Sequence, residues 1–276
     1  MTLSVRNNFF KGGITLAALS LGVIITAGYF AYSAFPGVTA AAAHRAWGVQ
    51  ILVSGFAASS SYVPFWTMLC AVACSFIGIA LIYFFFEKTQ SPEIFFFGFF
   101  IISLSFEFTR IAIPLKVVLP YPAMHLISAA RVLLFGRYFG IFSLFAAGAC
   151  AAGLNAQRQQ TVFFMLVLAA LIIALNVPVD SLTWDTSLKM LNGYSYMFNL
   201  VEAGILIITI LTFFISAHTR GNRSYTVIGI GVLLAFFGRN ILIGSDTWIT
   251  PVPGFILLAA GSWFVCSRLH RIYLWL

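Results

Sequence analysis

Polar residues in this chain fall mainly in short groups between long apolar runs, and the runs are long enough to cross a bilayer. A hydrocarbon core of about 30 Å takes ~20 apolar residues as helix. Runs of that order fall at 12–34, 63–86, 94–113, 123–153, 161–180, 197–217, 225–243 and 253–271. In lipid every backbone N–H and C=O must be satisfied within its own segment, so each run predicts a helix. The expected fold is all-α: a polytopic transmembrane helical bundle of about eight spans, forming a single integral membrane domain over 1–276. The turns at Glu87–Glu93, Asn155–Gln160 and His218–Ser224 are too short to hold a soluble domain. The longest loop, 35–62, includes Ala40–Val53, which has the character of an amphipathic piece lying on the outer surface.

Two segments admit alternatives. The first run has a basic start and ends near Val38-Thr39-Ala40, a small-residue stretch that also suits cleavage of a signal peptide. Cleavage there would leave seven spans. The run 123–153 is about 46 Å long as one helix, more than an upright span needs. Either it tilts, or Pro122–Arg131 forms a short outer helix and leaves Arg131 at the interface.

The pattern also allows a 4+4 parallel internal repeat, with halves 1–155 and 156–276. Phe108-Thr109-Arg110, Pro120-Tyr121-Pro122 and Arg137 in the first half have counterparts in Phe237-Gly238-Arg239, Pro251-Val252-Pro253 and Arg268, at separations of 129, 131 and 131 residues. Chance recurrence of proline pairs and arginines in an apolar chain is the competing explanation.

Composition supports the membrane class. The chain is 61% hydrophobic and 8% charged, with a mean hydropathy of +1.01, whereas soluble domains carry about 25% charged residues. Net charge is +8, which here points to basic loops facing anionic lipid and not to nucleic acid. With the amino terminus inside, eight basic residues (Arg6, Lys11, Lys88, Arg158, Arg220, Arg223, Arg268, Arg271) fall on the cytoplasmic side and three (Arg45, Lys116, Lys189) outside. The expected location is therefore the plasma or inner membrane, with both termini cytoplasmic. The four cysteines lie in apolar runs, and no His or carboxylate joins them at metal spacing. No cofactor, metal or catalytic motif is expected.

Candidate chemistry comes from charges inside the runs. Glu107 and Arg110 sit three residues apart on one helix face, and each ionised group at the centre of the hydrocarbon costs about 2.5–3.5 kcal/mol. Arg131, Arg137, Glu202 and Arg239 occupy comparable runs, with His125, Asn199, Asn240 and Asp180 placed to join them. Gly136 and Gly140 have the small-xxx-small spacing that favours close helix approach. One reading is ion pairs that lock helices together. The other is a ligand site built from Glu107, Arg110, Arg131, Glu202, Arg239, His125 and Arg137, because guanidinium forks suit carboxylate and phosphate. The latter implies binding or sensing of an anionic small molecule or membrane lipid, with a protein partner to read it. Secondary transport of an organic anion or lipid, or an accessory role in a membrane complex, are the alternatives.

Overall fold

In the computed structural model, residues 3–34, 62–87, 89, 91–119, 121–154, 158–179 and 183–274 are described. Ala40–Val53, Asp180 and the signal-cleavage stretch fall outside them. Nearly all described residues are helical: α1 (Leu3–Ala34), α2 (Tyr62–Phe86), α3 (Pro92–Ser103), a 3-10 helix (Leu104–Ile111), α4 (Ala112–Val118), α5 (Ala123–Ala151), α6 (Gln159–Asn176), α7 (Ser195–Thr219), α8 (Ser224–Gly244) and α9 (Pro251–Leu274). The 3-10 helix joins α3 to α4 without a break, so among the described residues eight helical segments are long and apolar enough to span a membrane. No β-strand occurs among the described residues.

Sequence chemistry sets the start of α3. Ser91 is the N-cap, its Oγ accepting from the Ile94 N–H at 3.3 Å. Pro92 follows at the first helical position, where its missing N–H costs nothing. Beyond it, α3 is apolar on every face, the mark of a helix surrounded by others. Of the most apolar 18-residue stretch of each span, 89% of the α3 segment is buried, against 11% of α6. The central span is therefore the one that carries Glu107 and Arg110.

Small residues set how closely the other helices approach. Gly231 and Gly238 of α8 face Gly261 and Gly254 of α9, each pair seven residues apart, and main chain meets main chain there. A Cβ at Gly238 would stand 2.8 Å from the Gly254 carbonyl oxygen. On α5, Gly136 receives the Phe106 side chain and Gly140 lies against Ser103, giving the close approach that the small-residue spacing implied.

Buried polar contacts fix which helix ends share a side. Arg6 near the start of α1 donates to the Phe86 and Glu87 carbonyls at the end of α2, at 2.6 and 2.8 Å. Glu93 at the start of α3 accepts from the Tyr273 hydroxyl near the end of α9 at 2.6 Å. These ends form the chain-termini side of the bundle. The opposite side carries the α6–α7 connection.

The undivided form of the fourth span is the observed one: α5 is continuous over 29 residues. Arg137 sits at its midpoint, fourteen residues from either end, whereas Arg268 lies six residues from the end of α9. The third correspondence of the repeat pattern thus pairs groups at unlike positions along their helices.

Candidate functional site

Glu107 and Arg110 sit in the 3-10 helix. Such helices rarely exceed three or four residues, and a longer run within a helix marks strain or a hinge. This one spans eight. Two local features favour it. Pro114 has no N–H to offer the Arg110 carbonyl four residues back, and its ring crowds that carbonyl. The Ser103, Ser105 and Thr109 hydroxyls donate to the carbonyls three residues before them, at 2.7, 2.7 and 2.9 Å, in competition with the backbone ladder. With three residues per turn, Leu104, Glu107 and Arg110 stack on one edge.

Both charges are buried, each residue 2% exposed. Arg110 Nη1 lies 3.5 Å from Glu107 Oε2, a long contact for a buried pair. The same guanidinium donates through Nη2 to the main-chain carbonyl of Ser187, while its Nε has no acceptor among the described residues. Ser187 belongs to a hairpin in the α6–α7 connection. There Trp184 and Met190 form a β-bridge, and Asp185 N–H and Leu188 N–H donate to the Lys189 and Asp185 carbonyls at 2.8 and 2.9 Å. Leu188 takes a left-handed backbone, φ 54°, to close the turn and bring the Ser187 carbonyl inward.

A second pair joins α5 to α7. Arg137 Nε lies 2.5 Å from Glu202 Oε1, and Nη2 donates to Glu202 Oε2 at 2.8 Å and to Asn199 Oδ1 at 3.1 Å. Arg137 is about one-third exposed through its side chain, Glu202 hardly at all. Between the two pairs stands Arg239 of α8, 1% exposed. Its Nη1 donates to the Arg137 carbonyl at 3.3 Å, its guanidinium lies over the Phe100 ring at 5.9 Å, and its Nε and Nη2 have no acceptor among the described residues. Glu107, Glu202 and Arg137 all act electrostatically on it. Gly140 makes room: a Cβ there would stand 3.0 Å from Arg239 Nη1.

Five of the seven sequence-derived residues are therefore gathered: Glu107, Arg110, Arg137, Glu202 and Arg239. Arg131 and His125 are exposed and stay apart, His125 against the Tyr121 ring at 6.0 Å. Of the neutral candidates, Asn199 joins the group and Asn240 is half-buried. Sequence reasoning missed Ser187 and Lys189. Lys189 projects from the hairpin toward Gly244 of α8 and feels Arg110, Glu107, Arg137 and Asp185. Burial, reinforced by the Arg110 charge, pushes its ammonium down to about 8. Four cations (Arg110, Arg137, Arg239, Lys189) thus face two buried carboxylates, an excess of two positive charges before the exposed Asp185 is counted. Next to Arg110 is a void of about 10 Å³, bordered by Thr109, Leu126, Leu188 and Met190, near the smallest size that admits one water.

A separate polar group occupies the chain-termini side. Glu93, expected as part of a loop turn, is 2% exposed, and its Oε2 accepts from the Ser91 and Tyr273 hydroxyls at 3.0 and 2.6 Å. Nearby, Arg220 donates to the Tyr225 hydroxyl at 2.8 Å. Among the described residues no three His, Cys, Asp or Glu side chains converge as metal ligands.

Fold and cluster together define a multi-pass α-helical membrane protein with a buried, net-positive polar centre. No family model, curated protein or solved structure matches the chain.

Proposed function

We propose that this protein binds an anionic small molecule or an anionic lipid headgroup, through carboxylate or phosphate oxygens, at Arg110, Arg239 and Arg137, and that a protein partner reads the bound state. The observation that carries this reading is Arg239, a buried guanidinium with two donor nitrogens that have no acceptor among the described residues. A buried unpaired donor costs about 1–3 kcal/mol, more when charged. An anion would satisfy both donors and neutralise the local excess charge. Glu107 and Glu202 act as positioning residues that hold the neighbouring guanidiniums. The membrane proposed is the plasma or inner membrane, with the chain-termini side cytoplasmic, on the strength of the basic-residue asymmetry.

The test is thermal unfolding of the detergent-purified protein across a panel of carboxylates, phosphates and anionic lipids. A ligand at 100 times its Kd adds about 2.7 kcal/mol of stability. Stabilisation that Arg239→Gln abolishes supports the reading; indifference to the whole panel sinks it.

Secondary transport of such an anion is the second reading, and the 3-10 interruption favours it. Transporters build sites where a spanning helix is broken at membrane depth, and here the irregular stretch carries Glu107 and Arg110. A 4+4 repeat fits that reading, since Arg110 and Arg239, its proposed equivalents, are both buried. Uptake of the stabilising anion into proteoliposomes separates transport from sensing.

A further inference from the structure

The anion site carries its own occupant. The Ser187 carbonyl holds the Arg110 guanidinium, and a carbonyl oxygen offers the lone pairs that a carboxylate or phosphate oxygen would offer, without the charge. The void beside Arg110 has room for about one water, so no larger anion reaches this arginine while the hairpin stays in place. Leu188 and Met190 root the hairpin in the apolar core, while its exposed end is tied by a single side-chain bond: Thr186 Oγ1 donates to Asp246 Oδ2 in the α8–α9 turn at 3.1 Å.

Lys189 sits two residues beyond Ser187 on the same hairpin. The charged groups around it are Arg110 and Glu107 on the 3-10 helix, Arg137 on α5 and Asp185 on its own hairpin. Of the three on the spanning segments, the two arginines repel an ammonium and Glu107 attracts it. An anion delivered to Arg110 adds a negative charge beside that ammonium and would favour its protonated form.

We propose that hairpin 183–191 is a self-occupying lid: an anionic ligand displaces the Ser187 carbonyl from Arg110, and Lys189 becomes a further ligand-binding residue that holds its proton together with the anion. This rests on the anion-site reading and adds the route of entry and the proton linkage. Without an anion, burial and the Arg110 charge leave Lys189 titrating near pH 8. With the anion bound the titration moves higher, so the neutral amine of the empty site takes one proton from solvent as binding occurs. Affinity is then level below pH 8 and falls about tenfold per pH unit above it, until the bound form also deprotonates.

The experiment titrates the purified full chain with sulfate and with succinate between pH 6.5 and 9.5, where both ions keep a constant charge, and follows thermal stabilisation. Expected are a half-saturating concentration that rises about tenfold per pH unit above 8.5, a flat profile for Lys189→Met, and tighter binding in Thr186→Val, whose lid has lost its latch. Tightening on loss of a surface hydroxyl is not an effect that a merely structural hairpin would give. Stabilisation that ignores pH, with Thr186→Val unchanged, overturns the lid and the proton linkage but leaves the anion site standing. Indifference to both ions at every pH, in wild type and in Thr186→Val, overturns the lid; the same indifference across the carboxylate, phosphate and lipid panel overturns the anion site itself.

Discussion

Arg239 reaches Arg137 through the main chain: its Nη1 donates to the Arg137 carbonyl at 3.3 Å, while the Arg137 guanidinium turns away to Glu202. A backbone carbonyl has two lone pairs, and one stays available after the helical hydrogen bond is made. Arg239 therefore braces α8 against α5 without taking Glu202 from Arg137. Two arginines at the same centre avoid competing for one carboxylate, and the one left over is the one with unused donors.

This arrangement predicts which couplings are strong. Arg137 and Glu202 touch, so Arg137→Met and Glu202→Gln should each destabilise the detergent-purified protein, by about 1–3 kcal/mol given the partial exposure of the arginine. The double variant should lose less than the sum, with a coupling of ~1 kcal/mol or more. Arg239→Met paired with Glu202→Gln should couple more weakly, because the two side chains act on each other only at a distance. Equal couplings in the two cycles would contradict the geometry.

Close packing of α8 and α9 gives a prediction independent of charge. At Gly238 a Cβ would stand 2.8 Å from the Gly254 carbonyl oxygen, and main chain cannot move aside as a flexible side-chain tip can. Gly238→Ala should therefore cost about 3 kcal/mol, read as a lowered thermal midpoint. Gly204 of α7 has nothing among the described residues within 4 Å of the same atom. Gly204→Ala should leave the midpoint unchanged or raise it slightly, since alanine is the better helix former.

The spans were legible because the requirement to satisfy the backbone in lipid acts on run length, which sequence displays directly. The Glu107–Arg110 pair was legible for a similar reason, being local to one helix. Arg137 and Glu202 lie on different helices, 65 residues apart, and only their shared need for a partner hinted at the contact. Arg131 was expected with them, yet six helical residues turn through about 240°, so one straight helix cannot aim both arginines at the same neighbour. Lys189 looked like any loop lysine. What buries it is a hairpin closed by a left-handed Leu188, a conformation that a leucine does not advertise. Glu93 was hidden by its place in a short turn, because its burial depends on Tyr273, 180 residues further on.

Lys189 gives a pH prediction that needs no ligand. Its ammonium titrates at about 8 in the folded protein, down from 10.5. Below pH 8 the group is charged in both folded and unfolded states, and the fold bears the full cost of holding that charge. Between pH 8 and 10.5 the folded state loses the proton first, so stability attributable to this residue rises with pH. The difference in thermal midpoint, wild type minus Lys189→Met, should therefore increase from pH 7.5 to 9.5. A constant difference would place the lysine in solvent, and a shrinking one would make it a paired ammonium.

Pro114 offers control over the 3-10 helix itself. Pro114→Ala gives the Arg110 carbonyl, which accepts from the Ala112 N–H, an α-helical donor four residues on and removes the ring that crowds it, so α-helical bonding can propagate back toward Leu104. A 3-10 turn advances ~120° and 2.0 Å per residue, an α-turn ~100° and 1.5 Å. Conversion of the eight-residue run would rotate one end against the other by roughly 160° and shorten it by ~4 Å. Glu107 and Arg110 would lose their common edge, and Arg110 its place beneath the Ser187 carbonyl. The expected outcome is a protein that unfolds at an equal or higher temperature but gains no stability from sulfate or succinate, whereas wild type does. A variant that keeps its anion response would show that the Ser103, Ser105 and Thr109 hydroxyls hold the 3-10 geometry without the proline. Alanine at all three positions in the Pro114→Ala background should then remove the response.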